Sequence, residues 1–545
     1  MRRFFNRRTL IALAAGGLLL PVVSAGAAKA LTGGSAGGST AGSTAGSTGG
    51  STAGSAGSCS GHDWATFQHD PSHSGAGCGS ISASNVGTLV PGWFDPLPNA
   101  VTAEPAVVGN TVYVGDNGGI FHALDATTGK ELWSFDVTKH DKHSTSYGVI
   151  TSSAAYTDPI KGQPAVVFGG GGSVFALNAA TGALLWQTDL ASSDATGPDE
   201  VESSPVVVRD ANGTGVVLVG LDTNESTGGV SGGLVALNAE TGSPLWTFYP
   251  GSGQAIDGGP SGTGNGCDDV WSSPAVDPNA PNPGGQGKGL VFFGTGNCPD
   301  GHAAIEAISL SGGNRVWQFT EPAANHGTDD DFGSSPLLAT ANGKPVVVEG
   351  GKSGWIYVLD EYSGAPTGTL VNSYEVAQPG QTGDGLAGAI GGFIGSMALA
   401  PVNGDPVVFG NSAVPAPFAG DGITNSGATP DTSLATDPTR ASSLHAYDIA
   451  TGTVLWQDPL QGPSYAPVTE VGGVLFAPST TGFSIQAVDA STGTPLWAFP
   501  LGASGSGGVA VSGSSVFFGT GTYESPQAQV PPQATGVWMF HLAGS

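Results

Sequence analysis

The residues best suited to chemistry are three adjacent aspartates, Asp329 to Asp331. Carboxylates gathered at one point can take up a proton or hold a hard cation such as calcium, although a solvated turn also explains such a run. Further oxygen-bearing side chains stand at Glu225 and Asn297, and Lys352 is one of few lysines in the chain. These residues can act together only if the fold brings separate stretches of the chain to one place.

A repeated unit shows which elements would position them. In each copy an apolar strand ends in Asp, Asn or Ser, a glycine-containing turn follows, and a tryptophan stands eight residues after the end of the strand. Six copies carry this docking tryptophan, at Trp133, Trp186, Trp246, Trp317, Trp456 and Trp497. A seventh copy, 356–360 followed by Gly364, lacks the tryptophan, and an eighth strand occupies 537–541.

The missing partner of the eighth strand stands near the other end of the chain. Trp93 has the setting of a docking tryptophan but no strand repeat before it. We therefore expect an N-terminal strand to complete the C-terminal blade. The sequence predicts an all-β fold, an eight-bladed β-propeller of four-stranded antiparallel blades over residues 59–545, closed by that strand. Each docking tryptophan would be buried between blades, with its indole N–H bonded to an acceptor.

The first 58 residues differ from the rest of the chain. Residues 1–30 have a basic head, a short apolar run and an Ala-Lys-Ala cleavage site, which predicts a signal peptide of either the general or the twin-arginine type. Residues 31–58 are almost entirely Gly, Ser, Thr and Ala, which predicts a flexible linker. We expect an exported protein, periplasmic, cell-wall-associated or secreted, with no transmembrane segment in the mature chain.

Charge and cysteine usage narrow the function classes. The chain carries 43 acidic and 15 basic residues, a formal net charge of -28, which argues against nucleic acid as a partner. Four cysteines in an exported chain predict two disulfides, and proximity favours Cys59–Cys78 and Cys267–Cys298 among the three possible pairings. Their spacing fits no zinc-site pattern and no covalent haem attachment.

The repeat resembles the blade signature of pyrroloquinoline-quinone (PQQ) dehydrogenases, over nearly the whole of the chain after Asp63. Segment 270–277 with 293–297, and segment 329–336 with 351–360, resemble the cofactor regions of quinoprotein alcohol dehydrogenases. The Asp-Phe-Gly-Ser-Ser-Pro form of 331–336 is most similar to polyvinyl-alcohol-dehydrogenase-like members.

This resemblance implies a role for each candidate residue. Trp271 would form the floor beneath the quinone rings, and Lys352 would contact the reactive carbonyls. The metal ligands would be Glu225, Asn297 and Asp331, with calcium as the expected ion and a lanthanide as the alternative. Asp331 or Asp330 would be the catalytic base, since the match is ambiguous by one residue.

Two of these residues also fit purely structural roles, and the sequence departs from the family pattern at two points. Asn297 lies in a Gly-Thr-Gly-Asn turn and suits a left-handed turn position, and Lys352 suits a structural salt bridge equally. The family's adjacent cysteine pair is missing from the corresponding segment 147–153, and no haem domain is encoded. An enzyme of this kind would need an external, cytochrome-like electron acceptor.

Two functions of different classes follow. The first is an exported quinoprotein dehydrogenase that oxidises alcohol groups of a small molecule or a polymer, by hydride transfer to PQQ. The second is a non-catalytic PQQ-like propeller that serves as a protein-interaction scaffold. A glycosidase or lyase is disfavoured, because only 329–331 offers clustered carboxylates.

Overall fold

The computed structural model describes most of the chain after residue 62. The described residues are 63–191, 199–223, 232–260, 269–283, 287–297, 303–322, 331–375, 392–412, 443–459, 464–480, 482–522 and 534–544. All of them belong to one compact unit, 52–545. Within these ranges there is no α-helix, only two short 3-10 turns at Val86–Thr88 and Val137–Lys139, and so no helix able to cross a membrane.

Eight antiparallel sheets follow one another along the chain. Two strands precede the first blade: β1 (Ala76–Gly77) and β2 (Leu89–Pro96). Blade 1 contains β3 (Ala106–Val108), β4 (Thr111–Gly115), β5 (Ile120–Asp125) and β6 (Glu131–Asp136). Blade 2 contains β7 (Ala155–Ile160), β8 (Gln163–Gly170), β9 (Ser173–Asn178) and β10 (Leu184–Asp189). Blade 3 contains β11 (Val206–Arg209), β12 (Gly215–Leu221), β13 (Gly233–Asn238), β14 (Pro244–Tyr249) and β15 (Gln254–Asp257).

The second half repeats the pattern. Blade 4 contains β16 (Ala275–Pro281), β17 (Lys288–Gly294), β18 (Ala304–Ser309) and β19 (Arg315–Thr320). Blade 5 contains β20 (Leu337–Ala341), β21 (Lys344–Gly350), β22 (Trp355–Asp360) and β23 (Leu370–Glu375). Blade 6 contains β24 (Ala398–Val402), β25 (Asp405–Asn411), β26 (Ser443–Asp448) and β27 (Thr453–Pro459). Blade 7 contains β28 (Thr469–Val471), β29 (Val474–Ser479), β30 (Ser484–Asp489) and β31 (Pro495–Pro500); blade 8 contains β32 (Val509–Ser512), β33 (Ser515–Thr520) and β34 (Gly536–Leu542).

The predicted closure is confirmed. Strand β2 pairs antiparallel with β34 and forms the outer strand of blade 8. The docking tryptophans also behave as expected, because each indole N–H with a recorded bond donates to a backbone carbonyl of a neighbouring blade. The pairs are Trp93–Ala126, Trp133–Ala179, Trp186–Ala239, Trp317–Glu361, Trp456–Ala490 and Trp497–Leu89, at 2.9–3.3 Å.

In blade 5 an asparagine makes the interblade hydrogen bond that a docking tryptophan makes in other blades. Asn372 on β23 donates from Nδ2 to the Ile449 carbonyl at 2.9 Å, the same kind of bond that a docking indole makes elsewhere. The turn before β23 is longer than the repeat suggested. Its left-handed glycine, packed on Trp317, is Gly368 and not Gly364.

Trp317 is the docking tryptophan with the most complete burial, and its removal tests the interblade packing. The residue is 0% exposed between blades 4 and 5, beside Phe292. We expect Trp317→Ala to lower the free energy of unfolding by about 3–5 kcal/mol, because it leaves a large cavity. Leu132→Ala, at a side chain 53% exposed, should change it by less than about 0.5 kcal/mol. Urea titration of both variants, followed by tryptophan fluorescence, checks this.

The segment before β2 crosses the central channel, a feature that the sequence did not predict. We call this segment, residues 63–79, the plug. Its backbone carbonyls accept hydrogen bonds from the innermost strands of several blades. The donors include the backbone N–H groups of Tyr156, Val276, Leu338, Leu399 and Glu470. Strand β1 within it pairs parallel with β28. The plug therefore ties blades around the ring together at one level of the axis.

The remaining predictions for the termini and the disulfides stay predictions. The signal peptide, the linker, Cys59, Cys267 and Cys298 lie outside the described residues. Cys78, the one cysteine inside them, is not a free thiol. The chain after β14 adds one more strand, β15, to the outer edge of blade 3.

Candidate active site

A cavity on the propeller axis is lined by two rings of residues, one residue from each blade. Both rings stand just before the innermost strands, two residues apart, so they form successive levels of the channel. The upper ring is Thr102, Thr151, Glu202, Trp271, Gly333, Ile394, Tyr465 and Ser506. The lower ring is Glu104, Ser153, Ser204, Ser273, Ser335, Ser396, Pro467 and Gly508. Phe67 of the plug closes the cavity below the lower ring.

Trp271 of the upper ring extends sideways toward the next blade. A Cβ atom added at Gly333 would lie 1.9 Å from Trp271 Cη2, so the indole occupies the space of a side chain at that position. A Cβ at Gly296 would lie 2.4 Å from Trp271 Nε1, and it too is excluded. Two glycines of neighbouring segments thus make room for an aromatic platform at the axis.

Three further candidates meet beside this platform. Lys352 Nζ lies 2.5 Å from Asp331 Oδ2 and 5.2 Å from the centroid of the Trp271 ring. The other carboxylate oxygen, Asp331 Oδ1, accepts a hydrogen bond from the Asn297 backbone N–H at 2.7 Å. Asn297 has a φ of 55°, which turns the chain there and places its amide group at the cavity. Asp331 and Lys352 are 5% and 7% exposed.

The structure therefore brings together four residues that are distant in sequence. Trp271, Asn297, Asp331 and Lys352 all line the axial cavity. Glu225 and Asp330, the remaining predicted site residues, lie outside the described residues, so their roles stay predictions.

Sequence reasoning missed several polar groups of this cavity. Glu104, Glu202, Asp222 and Tyr147 also line it. Burial, together with the charges of Glu202 and Asp222, raises the pKa of the Tyr147 phenol, which therefore stays a neutral hydroxyl. The sequence does contain one pattern that could have identified them. A Ser-Ser-Pro motif recurs before innermost strands, and aligning the blades on it shows which residues occupy the ring positions.

The lining residues fit a planar cofactor held with a cation. The described lining contains four carboxyls, at Glu104, Glu202, Asp222 and Asp331, against one cation, Lys352. Such an excess of acidic groups favours a bound metal ion, and carboxylate and amide oxygens at Asp331 and Asn297 are ligands that calcium or a lanthanide prefers. The Trp271 indole offers a flat apolar surface for stacking.

A buried glutamate beneath the site gives a pH-dependent test of stability. Glu349 on β21 is 0% exposed, and neither carboxyl oxygen has a hydrogen-bond partner among the described residues. It packs against Gly294, where an added Cβ would lie 2.3 Å from Glu349 Oε1. Burial raises the pKa of Glu349 well above 4.5, so the folded protein keeps this carboxyl protonated.

The direction in which stability changes with pH follows from whether the folded and the unfolded chain bind a proton at Glu349. Above about pH 4.5 the unfolded chain releases this proton while the folded chain retains it, so stability from this group falls as pH rises toward the folded pKa, by about 1.4 kcal/mol per pH unit. We expect Glu349→Gln to flatten the decline in unfolding free energy between pH 5 and about 7, with Glu240→Gln, at an exposed site, as the control. Equal slopes in all three proteins, in urea titrations across this range, would contradict the assignment.

Two protein-family profiles match this chain. The family profile described as the β-propeller domain of glucose/ethanol/alcohol dehydrogenases matches residues 64–388. A second profile, that of the outer membrane protein assembly factor BamB, matches residues 301–523. The two profiles overlap on residues 301–388, in blades 4 and 5, and together they cover residues 64–523, which leaves only strand β34 of the propeller outside.

Curated relatives and solved structures share these blades. A polyvinylalcohol dehydrogenase of Pseudomonas sp is 27% identical over 328 residues, 54% of this chain and 47% of that protein. Quinohemoprotein alcohol dehydrogenase ADH IIB of Pseudomonas putida is 28% identical over 323 residues, 52% of this chain and 43% of that protein. The chain thus matches less than half the length of these two relatives. The structure of quinohemoprotein alcohol dehydrogenase from Comamonas testosteroni superposes with a TM-score of 0.65 at 21% identity, over 89% of this chain and 81% of that one, a likeness of fold.

Proposed function

This chain belongs to the glucose/ethanol/alcohol dehydrogenase β-propeller family, and from that premise we propose that it is an exported quinoprotein dehydrogenase that oxidises alcohol groups. The observation that carries the proposal is the ion pair of Lys352 and Asp331 beside the Trp271 platform, inside a cavity on the propeller axis. An aromatic surface can stack a planar cofactor, a cation can stabilise negative charge that develops in hydride transfer, and a carboxylate can accept the alcohol proton.

The cofactor would rest on the Trp271 indole with Lys352 at its edge. The metal would take oxygen ligands from Asn297 and Asp331, and from Glu225, which lies outside the described residues. When bound, PQQ accepts the hydride and the metal ion serves as a Lewis acid. Calcium is the expected ion, and a lanthanide is the alternative because the 329–331 segment offers additional carboxylates.

Asp331 is the proposed base. Its ion pair with Lys352 and its bond from the Asn297 N–H orient the carboxylate in the cavity, where it can accept the proton of the substrate hydroxyl. The carbon-bound hydrogen then leaves as hydride as the C–O bond becomes a carbonyl. Lys352 also places a positive charge at the platform, where it stabilises negative charge that develops in hydride transfer. Asp330 is the alternative base.

The tyrosine at the cavity replaces the cysteine pair of better-known relatives. Tyr147 begins the 147–153 segment, which contains no cysteine, and its neutral hydroxyl can donate to a cofactor oxygen. Electrons would leave to a separate cytochrome-like protein. Substrates would be alcohol-bearing small molecules or polymers, as the name of the polyvinylalcohol dehydrogenase relative suggests.

The deciding experiment uses the purified mature chain with PQQ and either calcium or a lanthanide. We expect a cofactor absorption spectrum that survives gel filtration and depends on the metal, together with alcohol-dependent reduction of an artificial dye. Trp271→Ala should lose cofactor binding, whereas Trp133→Ala, at a docking position far from the cavity, should keep it. If the wild-type protein binds no quinone in the presence of either metal, the proposed function is wrong.

A second candidate function rests on the match of residues 301–523 to the BamB profile. On this alternative the propeller is a scaffold that binds a protein partner without any cofactor. Pull-down of the same partner by wild-type protein and by Trp271→Ala, with no quinone bound to either, would favour it over the dehydrogenase.

A further inference from the structure

Five serine hydroxyls of the lower ring share one hydrogen-bonding pattern. Each accepts a backbone N–H from the preceding blade, through the bonds Glu104–Ser153, Ser153–Ser204, Ser204–Ser273, Ser273–Ser335 and Ser335–Ser396, at 2.8–3.1 Å. All five serines are at most 5% exposed and line the cavity. Among the described residues none of these hydroxyls donates a hydrogen bond to the protein, so each O–H is available to donate into the cavity that it lines.

Buried hydroxyl donors are rarely left unsatisfied. A polar cavity with several such donors holds water, and each water molecule binds two to four polar partners. The five serines follow one another around the ring from blade 2 to blade 6. They therefore form a continuous arc on which waters and hydroxyls can hydrogen-bond in series.

The sector of the ring that lacks serines is filled by one acid. Pro467 and Gly508 contribute no polar side chain there, and a Cβ at Gly508 would lie 2.1 Å from Glu104 Oε2. Glu104 Oε1 accepts hydrogen bonds from Trp64 Nε1 at 2.6 Å and from the Gln68 N–H at 2.8 Å. Glu104 Oε2 has only a 3.3 Å bond from Gln68 Nε2, so this oxygen is the one free to bind water.

Resting on the proposed function, we infer that Glu104 is a second proton acceptor of this enzyme, reached from Asp331 through waters held by the lower-ring serines. Ser335 starts the route, four residues after Asp331 and within the same loop. The route then passes Ser273, Ser204 and Ser153 and ends at Glu104, whose own N–H binds the last hydroxyl. Both acids line one cavity, so no wall separates them.

The electrostatic setting suits this role. Burial raises the pKa of Glu104 to about 7, against the lowering effects of the Trp64 and Gln68 bonds and of the His69 charge. His69 on the plug contacts Asp70 at 3.5 Å and is partly exposed. Glu104 can therefore take up a proton near neutral pH.

The transfer conserves protons and involves no redox change at the relay. The Asp331 carboxyl O–H bond breaks and a water O–H bond forms; that water passes another proton onward along the serine arc. The last water gives a proton to Glu104 Oε2, and Asp331 is again a carboxylate, ready for the next substrate. The hydride would be accepted by the bound quinone, so the relay carries only the proton.

The test compares wild-type protein with Glu104→Gln and with a matched control, Glu470→Gln. Glu470 is likewise a buried glutamate whose pKa is raised to about 7 by burial, but it lies outside the described lining of the cavity and binds the Gly473 N–H. We expect the dye-linked kcat of wild type and of Glu470→Gln to fall as pH drops through about 7. In Glu104→Gln kcat should be about tenfold lower at pH 8 and show no inflection near 7, with quinone binding unchanged.

Infrared titration of the protein without cofactor gives a readout apart from activity. Wild type should show two carboxyl bands that titrate near pH 7; Glu104→Gln should lose one of them, and Glu470→Gln should lose the other and keep the Glu104 band. The relay would be contradicted if Glu104→Gln kept the wild-type kcat and its inflection near pH 7, or if it lost no carboxyl band. Either result would leave the proposed dehydrogenase function untouched. Wild-type protein that binds quinone and reduces dye keeps the proposed function in either case; failure to bind quinone would remove both proposals.

Discussion

Asp331→Asn is expected to reduce alcohol-dependent dye reduction by about 10²- to 10⁴-fold in kcat, because the amide cannot accept the substrate proton. The variant keeps an oxygen that can accept the Asn297 N–H bond, so the local chain should hold its shape. It loses the charge partner of Lys352, whose ammonium lies 2.5 Å from the carboxylate. We expect metal affinity to fall because a carboxylate ligand is lost, and the melting temperature to fall because the buried Lys352 ammonium is left without its charge partner.

Measurement of kcat at saturating quinone and metal separates the two losses. If extra metal restores the wild-type kcat, Asp331 acts only as a ligand, and the base must be sought at Asp330. Asp210→Asn, in an exposed turn of blade 3, serves as the control and should keep wild-type kcat and metal affinity.

Gly333→Ala is expected to weaken quinone binding by about 10- to 100-fold. The added methyl group would lie 1.9 Å from Trp271 Cη2, a distance at which the indole must move. Overpacking of this kind costs about 1–3 kcal/mol, and each 1.4 kcal/mol of lost binding energy is a tenfold change in affinity. Because the platform faces the cavity, the ring can tilt into it, and we expect the platform to be displaced without unfolding the blades.

The matched control for this substitution is Gly364→Ala. An added Cβ there meets nothing within 4 Å, and Gly364 lies in blade 5, outside the described cavity lining. Fluorescence quenching titrations with PQQ should give the wild-type Kd for Gly364→Ala. An unchanged Kd in Gly333→Ala would mean that the indole is not the surface on which the quinone rests.

Most of the fold could be predicted from the sequence because propeller packing repeats the same local contacts. The strand ends, the glycine turns and the docking tryptophans recur at fixed spacing, and the isolated Trp93 pointed to the closing strand that β2 provides. Exceptions to the repeat could not be predicted in this way. Asn372 takes the place of a tryptophan through a single amide bond, and β15 adds to blade 3 without any repeat signal.

From the sequence, the candidate site could be predicted only for residues that lie in segments resembling the family's cofactor regions. Trp271, Asn297, Asp331 and Lys352 were proposed from such segments and do meet at the axis. Glu104 carries no motif, and its significance arises from the ring register and from the plug residues Trp64 and Gln68 that hold it. Contacts between residues so far apart follow from closure of the ring, which local sequence patterns do not encode.

The pairing of β2 with β34 has a consequence for how the chain reaches this structure. Residues 89–96 pair with residues 536–542 across seven intervening blades, so we expect this sheet edge to form late in folding. Closing so long a loop is entropically costly, and contacts this distant in sequence slow folding. Until then β34 and the edge of β2 expose unpaired backbone groups, which invite pairing with another chain. The late step should therefore be sensitive to protein concentration, with dilute refolding favouring the closed monomeric ring over chains joined end to end.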